Sequence, residues 1–125
     1  MNLDIIKTKE YYHSLSIESL CNCAYCNNYR FHIKNVYPNV AEYLTSLGID
    51  IEKPFEVSAL EPNEDGMLEY CCCQYIVFGD CEPQYYHKID NVEFRVAVSY
   101  PSTGIEHKHF VIEFYPIKLK YIEQI

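Results

Sequence analysis

The sequence predicts an α+β fold: an antiparallel β-sheet with two helices from the N-terminal half packed on one face. Three observations carry that prediction. Apolar residues recur at helical spacing between positions 22 and 48, and they alternate with polar ones in several runs between positions 55 and 115. The last two alternating runs are joined by one loop containing Pro101 and Gly104, so they are expected to pair as an antiparallel hairpin. Of the 125 residues, 49% are apolar and 22% charged, which supports one hydrophobic core and excludes an intrinsically disordered chain. Residues 1–125 are therefore expected to form a single domain, with no internal repeat or linker.

The elements follow in order. Residues 3–8 and 11–17 are β-prone, the second run alternating Tyr11, His13, Leu15 and Ile17, and both are expected as edge strands. Cys26, Tyr29, Ile33 and Val36 or Tyr37 then recur at helical spacing, with Asn22 as the expected N-cap and Cys23 in the first turn. A second helix starts at Pro38, carries Val40, Tyr43, Leu44 and Leu47 on one stripe, and ends at Gly48. Ile49 can close the hydrophobic contact of a Schellman motif there.

After Lys53-Pro54 the period changes. Residues 55–60 read as a strand, Pro62-Asn63-Glu64-Asp65-Gly66 as a turn, and residues 67–78 as a long strand. In that strand Leu68, Tyr70, Cys72, Ile76 and Phe78 are expected on one face. Gly79-Asp80 stops it, and residues 81–91 read as polar and irregular. Val92, Phe94, Val96 and Val98, then Phe110, Ile112 and Phe114, form the apolar faces of the closing hairpin.

Charge and composition narrow the function. With 18 acidic and 10 basic residues the formal net charge is -8, and no Lys/Arg run makes a local basic patch. Such a surface repels phosphate backbones and anionic lipid, so nucleic acid and membrane are not expected partners. The start Met1-Asn2-Leu3-Asp4-Ile5-Ile6-Lys7 has an acid where a signal peptide carries basic residues. No segment approaches the ~18 apolar residues of a membrane span, and a cytoplasmic location is expected. Seven Cys, an odd number, then read as reduced thiols, most of them small hydrophobic packing residues. The thirteen Tyr and absence of Trp are consistent with the codon bias of an AT-rich genome.

Cys21, Cys23 and Cys26 form the strongest chemical signature, C-x-C-x-x-C. Three thiolates within six residues can converge on a soft ion such as Zn²⁺. A closed site needs a fourth ligand, for which Cys81, His13 or one of Cys71, Cys72 and Cys73 would have to come from elsewhere in the fold. Cys71, Cys72 and Cys73 alternate in direction along a strand and read as sheet packing. A redox role is the other chemical reading, because Cys23 near a helix N-terminus can be a reactive thiol.

The pattern Cys21-x-Cys23-x-x-Cys26-x-Asn28-Tyr29, followed by Pro38, Leu47-Gly48-Ile49-Asp50 and Lys53-Pro54-x-Glu56, resembles a group of small uncharacterised proteins from low-GC Gram-positive bacteria. The resemblance covers residues 21–56. It implies a stand-alone cytoplasmic domain in which the Cys cluster and the Pro-to-Gly helix form one unit, and it carries no catalytic residues over.

Other constellations are weaker. His107, His109 and Glu113 share one face if the segment is a strand and resemble part of the first cupin metal motif, but the motif's glycines and its second half are missing. Glu61-Pro62-Asn63-Glu64-Asp65-Gly66 is loosely like a calcium loop without the distal Glu. Tyr85, Tyr86 and His87, like Tyr11, Tyr12 and His13, place aromatic and imidazole groups at expected loop or edge positions, which suits ligand or partner binding. The leading expectation is a non-enzymatic binding or interaction domain, with a homodimer formed through an exposed sheet face. The alternatives are a structural zinc protein built on Cys21, Cys23 and Cys26, and a small thiol-redox enzyme or hydrolase using Cys23 or the His107, His109 and Glu113 face.

Overall fold

A computed structural model describes residues 1–122. These residues form an antiparallel sheet with three α-helices, an α+β architecture. In chain order the elements are β1 (Asn2–Leu3), α1 (Ile5–Ser14), α2 (Ala24–Val36), α3 (Pro38–Ser46), β2 (Glu56–Ala59), β3 (Met67–Asp80), β4 (Tyr86–Ile89), β5 (Val92–Val96), β6 (His109–Tyr115) and β7 (Ile117–Lys120). The main core lies between one sheet face and the helices, where Tyr29, Ile33, Val40 and Leu44 meet Leu68, Tyr75, Phe94, Phe114 and Leu119.

β3 is the spine of the sheet. One edge pairs with β6 through residues 73–78 and with β7 through residues 67–70. The other edge pairs with β2 and, at its far end, with β1. Between those two partners the edge would be bare. Helix α1 fills the gap: the Tyr12 hydroxyl donates to the Ile76 carbonyl at 2.7 Å and accepts from the Ile76 N–H at 2.9 Å. Thr8 Oγ1 accepts from the Phe78 N–H at 3.0 Å, so two side chains one helical turn apart stand in for a strand.

This corrects the expectation for the N-terminus. Residues 3–8 and 11–17 are not edge strands; most of the span is α1, preceded by the two-residue β1. Asp4 caps the helix by accepting from the Lys7 N–H at 3.0 Å. Its C-terminal carbonyls, those of Tyr12 and Leu15, accept from Lys53 Nζ at 2.7 and 2.9 Å. The residues that define its buried face, Thr8 and Tyr12, are polar, so hydrophobic spacing does not reveal it.

The α2–α3 pair forms as the sequence predicts, with one shift. Cys23, not Asn22, is the N-cap of α2, and its Sγ accepts from the Cys26 N–H at 3.4 Å. Pro38 ends α2 by forcing Tyr37 out of helical geometry and opens α3 at the same point. α3 closes in a Schellman motif, with the Ile49 N–H on the Leu44 carbonyl and the Gly48 N–H on that of Thr45, both at 3.0 Å. Gly48 takes φ +89, and a Cβ there would stand 2.8 Å from the Ile5 carbonyl oxygen, which rules out a side chain.

Three further expectations change. β3 does not keep one face, because the pairing with β2 slips by one residue between Ser58↔Cys72 and Ala59↔Tyr70, leaving Cys71 as the extra residue of a bulge. Leu68 and Tyr70 face the main core before the bulge; Cys73, Tyr75 and Val77 face it afterwards, and Ile76 and Phe78 pack on the other side with Ala97 and Val111. The segment expected to be irregular contains β4, joined to β5 by a two-residue turn in which Asp90 has φ 54. Val92 and Phe94 are core residues as expected, whereas Val98 lies beyond β5 and is exposed.

The edge role of Tyr12 is testable. Tyr12→Phe leaves a buried N–H and carbonyl of Ile76 without partners and should cost about 2–3 kcal/mol in urea unfolding. Tyr86→Phe, which removes only an exposed bond to Glu93, should stay within about 0.5 kcal/mol of the unaltered chain. Equal stability of the two variants would contradict the assignment. Burial also raises Tyr12, Tyr29 and Tyr75 well above the ordinary phenol value. Their folded-state pKa exceeds the unfolded one, so their contribution is present below pH ~10 and is lost as pH rises above it. A spectrophotometric titration should show a tyrosinate step that coincides with alkaline unfolding.

Candidate metal centre

The three cysteines of the C-x-C-x-x-C array lie at the entry to α2. Cys21 follows a 3₁₀ turn at Ile17–Ser19, Cys23 caps the helix, and Cys26 sits in its first turn. Their Sγ atoms all lie within 4.8 Å of one another. Cys21 and Cys23 are exposed and Cys26 is buried. Tetrahedral zinc with ~2.3 Å Zn–S bonds needs sulfurs about 3.8 Å apart, so a contraction of at most about 1 Å brings the three into ligating positions.

A clasp of polar side chains fixes the loop. Arg30 reaches back along the helix, its Nη1 donating to the Cys21 carbonyl at 2.7 Å and its Nη2 to Asn27 Oδ1. Asn27 Nδ2 in turn donates to the Asn22 carbonyl and Oδ1 at 3.2 and 3.1 Å. These bonds hold backbone and amide groups and leave the thiols to each other. Sequence reasoning missed Arg30 and Asn27, though Cys23, Asn27 and Arg30 share one helix face by their spacing of four and three.

The thiols are electrostatically unequal. Burial acts to raise Cys23, but hydrogen bonds from the Cys26 N–H, the Cys26 and Cys21 thiols and the Tyr25 N–H outweigh it and hold Cys23 below the ordinary thiol value. Burial, then donation to and repulsion from Cys23 and Cys21, pushes Cys26 up. The Cys23 thiolate is therefore favoured, and Cys26 resists following it. A dication bound there would displace the remaining protons.

Cys21 and Cys26 also line a cleft of about 260 Å³, with Leu15, Leu20, Arg30 and Glu56 on its walls. Among the described residues no fourth His, Cys, Asp or Glu joins the three-sulfur group. Of the expected fourth ligands, Cys73 is buried in the main core, Cys72 donates to Glu113 at 3.7 Å, and Cys81 donates to the Glu82 carbonyl at 3.6 Å.

The other candidate residues have different roles. His107, His109 and Glu113 do not converge: His109 is held by the His107 carbonyl at 2.7 Å and Thr103 Oγ1 at 2.8 Å, while Glu113 accepts from Gln74 Nε2 at 3.0 Å. Tyr85 and His87 both meet Tyr43, and Tyr86 diverges from them. Tyr85 shares a hydrogen bond with Tyr43, His87 stacks on the Tyr43 ring with centroids 4.6 Å apart, and Tyr86 donates to Glu93 on the opposite face. The turn at residues 61–66 is organised by Asn63, whose Oδ1 accepts from the N–H groups of Asp65 and Met67. Among the described residues no helix is long and apolar enough to cross a membrane.

No family model, no curated protein and no solved structure matches the chain. The site stands on its own geometry.

In metal-free protein at neutral pH, limiting iodoacetamide should label Cys23 well before Cys26, because Cys23 is exposed with a lowered pKa and Cys26 is buried with a raised one. Peptide mapping by mass spectrometry reads the order, and the reverse order would contradict the assigned environments.

Proposed function

We propose that the protein is a soft-metal-binding domain whose ligands are Cys21, Cys23 and Cys26, with Zn²⁺ as the metal. The convergence of three sulfurs within 4.8 Å supports this reading most directly. Thiolate donors favour Zn²⁺ over hard cations such as Mg²⁺ and Ca²⁺. Three protein ligands leave one position of a tetrahedral ion for water, a small molecule or a partner's side chain. The domain then acts by binding, and its specificity resides in that fourth position and the cleft beside it. Seven free cysteines are consistent with a reducing compartment.

Protein purified without chelator should carry one equivalent of zinc, and Co²⁺ substitution should give sulfur-to-cobalt charge-transfer bands. Cys21→Ser, Cys23→Ser and Cys26→Ser should each weaken binding by at least ~10-fold, the loss produced even by removing an outer-shell partner. Cys71→Ser, on the bulge, should change nothing. Less than a tenth of an equivalent of zinc with all three thiols titratable would overturn the reading.

A further inference from the structure

Cys23 and Cys26 are related in a way that metal ligation alone does not require. Cys23 is exposed at the N-cap of α2, and Cys26 is buried three residues on, in the first turn. The Cys26 N–H donates to Cys23 Sγ at 3.4 Å, which holds that sulfur over the turn containing its neighbour. An N-cap Cα and the Cα three residues later stand about 5 Å apart by helix geometry. That falls inside the ~4.4–6.8 Å span of a disulfide, so rotation of two side chains closes the bond without moving the backbone. The exposed sulfur can meet a partner in solvent, and the buried one is placed to displace that partner afterwards.

We propose that Cys23 and Cys26 form a dithiol–disulfide couple that reduces low-molecular-weight disulfides, and that the oxidised pair no longer holds the metal. The first half stands on the pair alone; the second rests on the zinc reading above. In the first step the Cys23 thiolate attacks one sulfur of RS–SR, the S–S bond breaks, one RS⁻ leaves and Cys23–S–S–R forms. Cys26 then gives up its proton and attacks the Cys23 sulfur, and the second RS⁻ leaves. The protein loses two electrons and two protons, the small disulfide becomes two RSH, and Cys23–S–S–Cys26 remains. Cys23, which carries the departing group, is exposed, so that group leaves into solvent. Cys21, whose carbonyl is pinned by Arg30, is left as a single thiol, and one donor in place of three releases the ion.

Glutathione disulfide is the probe. Reduced, metal-free protein incubated with it and digested without reductant should yield the Cys23–Cys26 disulfide as its main oxidised form. Cys26→Ala, checked for native circular dichroism, should accumulate a glutathione adduct on Cys23, and Cys23→Ala should react at least ten times more slowly at Cys26. A stable adduct on Cys23 in the unaltered chain, or a main disulfide through Cys21 or Cys71, would overturn the proposal. Zinc-loaded protein supplies the second arm, read with a chromogenic zinc chelator: oxidation should release the ion in step with the disulfide. Zinc retained after the disulfide forms would overturn the coupling. Disulfide formation in a protein that never bound zinc would overturn the metal reading and leave the couple standing.

Discussion

The bare edge of β3 is the constraint on which the rest depends. β3 is the strand to which β1, β2, β6 and β7 all pair, and on one side it has more hydrogen-bonding backbone than its partners can cover. An unpaired buried N–H or carbonyl costs on the order of 1–3 kcal/mol, so the gap at Ile76 and Phe78 must be closed by something other than a strand. Thr8 and Tyr12 close it from α1. The same contact sets the height of α1 against the sheet, places Tyr11 on Phe78 with ring centroids 5.4 Å apart, and aims the end of the helix at Lys53.

The device recurs on the far side of the molecule. The Tyr37 hydroxyl accepts from the Lys118 N–H at 2.9 Å and donates to its carbonyl at 3.3 Å. Asn28 Nδ2 donates to the Lys120 carbonyl and Asn28 Oδ1 accepts from the Ile122 N–H, both at 3.1 Å. Residues 118, 120 and 122 are alternate positions along β7 and the chain just beyond it, so α2 and the residue that ends it serve β7 as α1 serves β3. Tyrosine suits the task because its ring fills the core while its hydroxyl both donates and accepts. Some of the thirteen tyrosines thus have a structural use that composition alone attributes to codon bias. Because Asn28 lies two residues beyond Cys26, the docking that covers β7 also fixes the first turn of α2, and with it the geometry of the cysteine loop.

What was legible in the sequence is what local signals encode. The α3 stripe, Pro38, Gly48 and Ile49 act within a few residues of one another, and the helix forms with its cap as read. The β5–β6 pair was legible because its alternation is uninterrupted on both strands. α1 was not, since its buried face consists of a threonine and a tyrosine whose partners lie 70 and 64 positions away. The change of face in β3 was hidden because one bulged residue inverts every side chain beyond it. At the candidate site the three sulfurs were legible from spacing. The clasp of Arg30 and Asn27 and the cleft were not, because they depend on how the loop folds back over the helix.

The seven cysteines now separate by physical role. The packing explanation requires burial, and it accounts for Cys73, which is fully buried beside Tyr29 and Tyr75 in the main core. It does not account for Cys21 and Cys23, which are exposed and gain nothing from removal of apolar surface. Arg30 and Asn27 satisfy the loop's backbone and amide groups, so apart from the Cys26 N–H on Cys23 the sulfurs face one another. Convergent thiols are unfavourable once more than one ionises, because the neighbouring thiolates repel one another. Two events relieve that conflict: a dication that neutralises the thiolates together, or a bond that removes two of them. In the proposed reading, metal binding and disulfide formation are alternative resolutions of one electrostatic problem set by the entry to α2, and the redox state of the pair would decide which one the loop adopts.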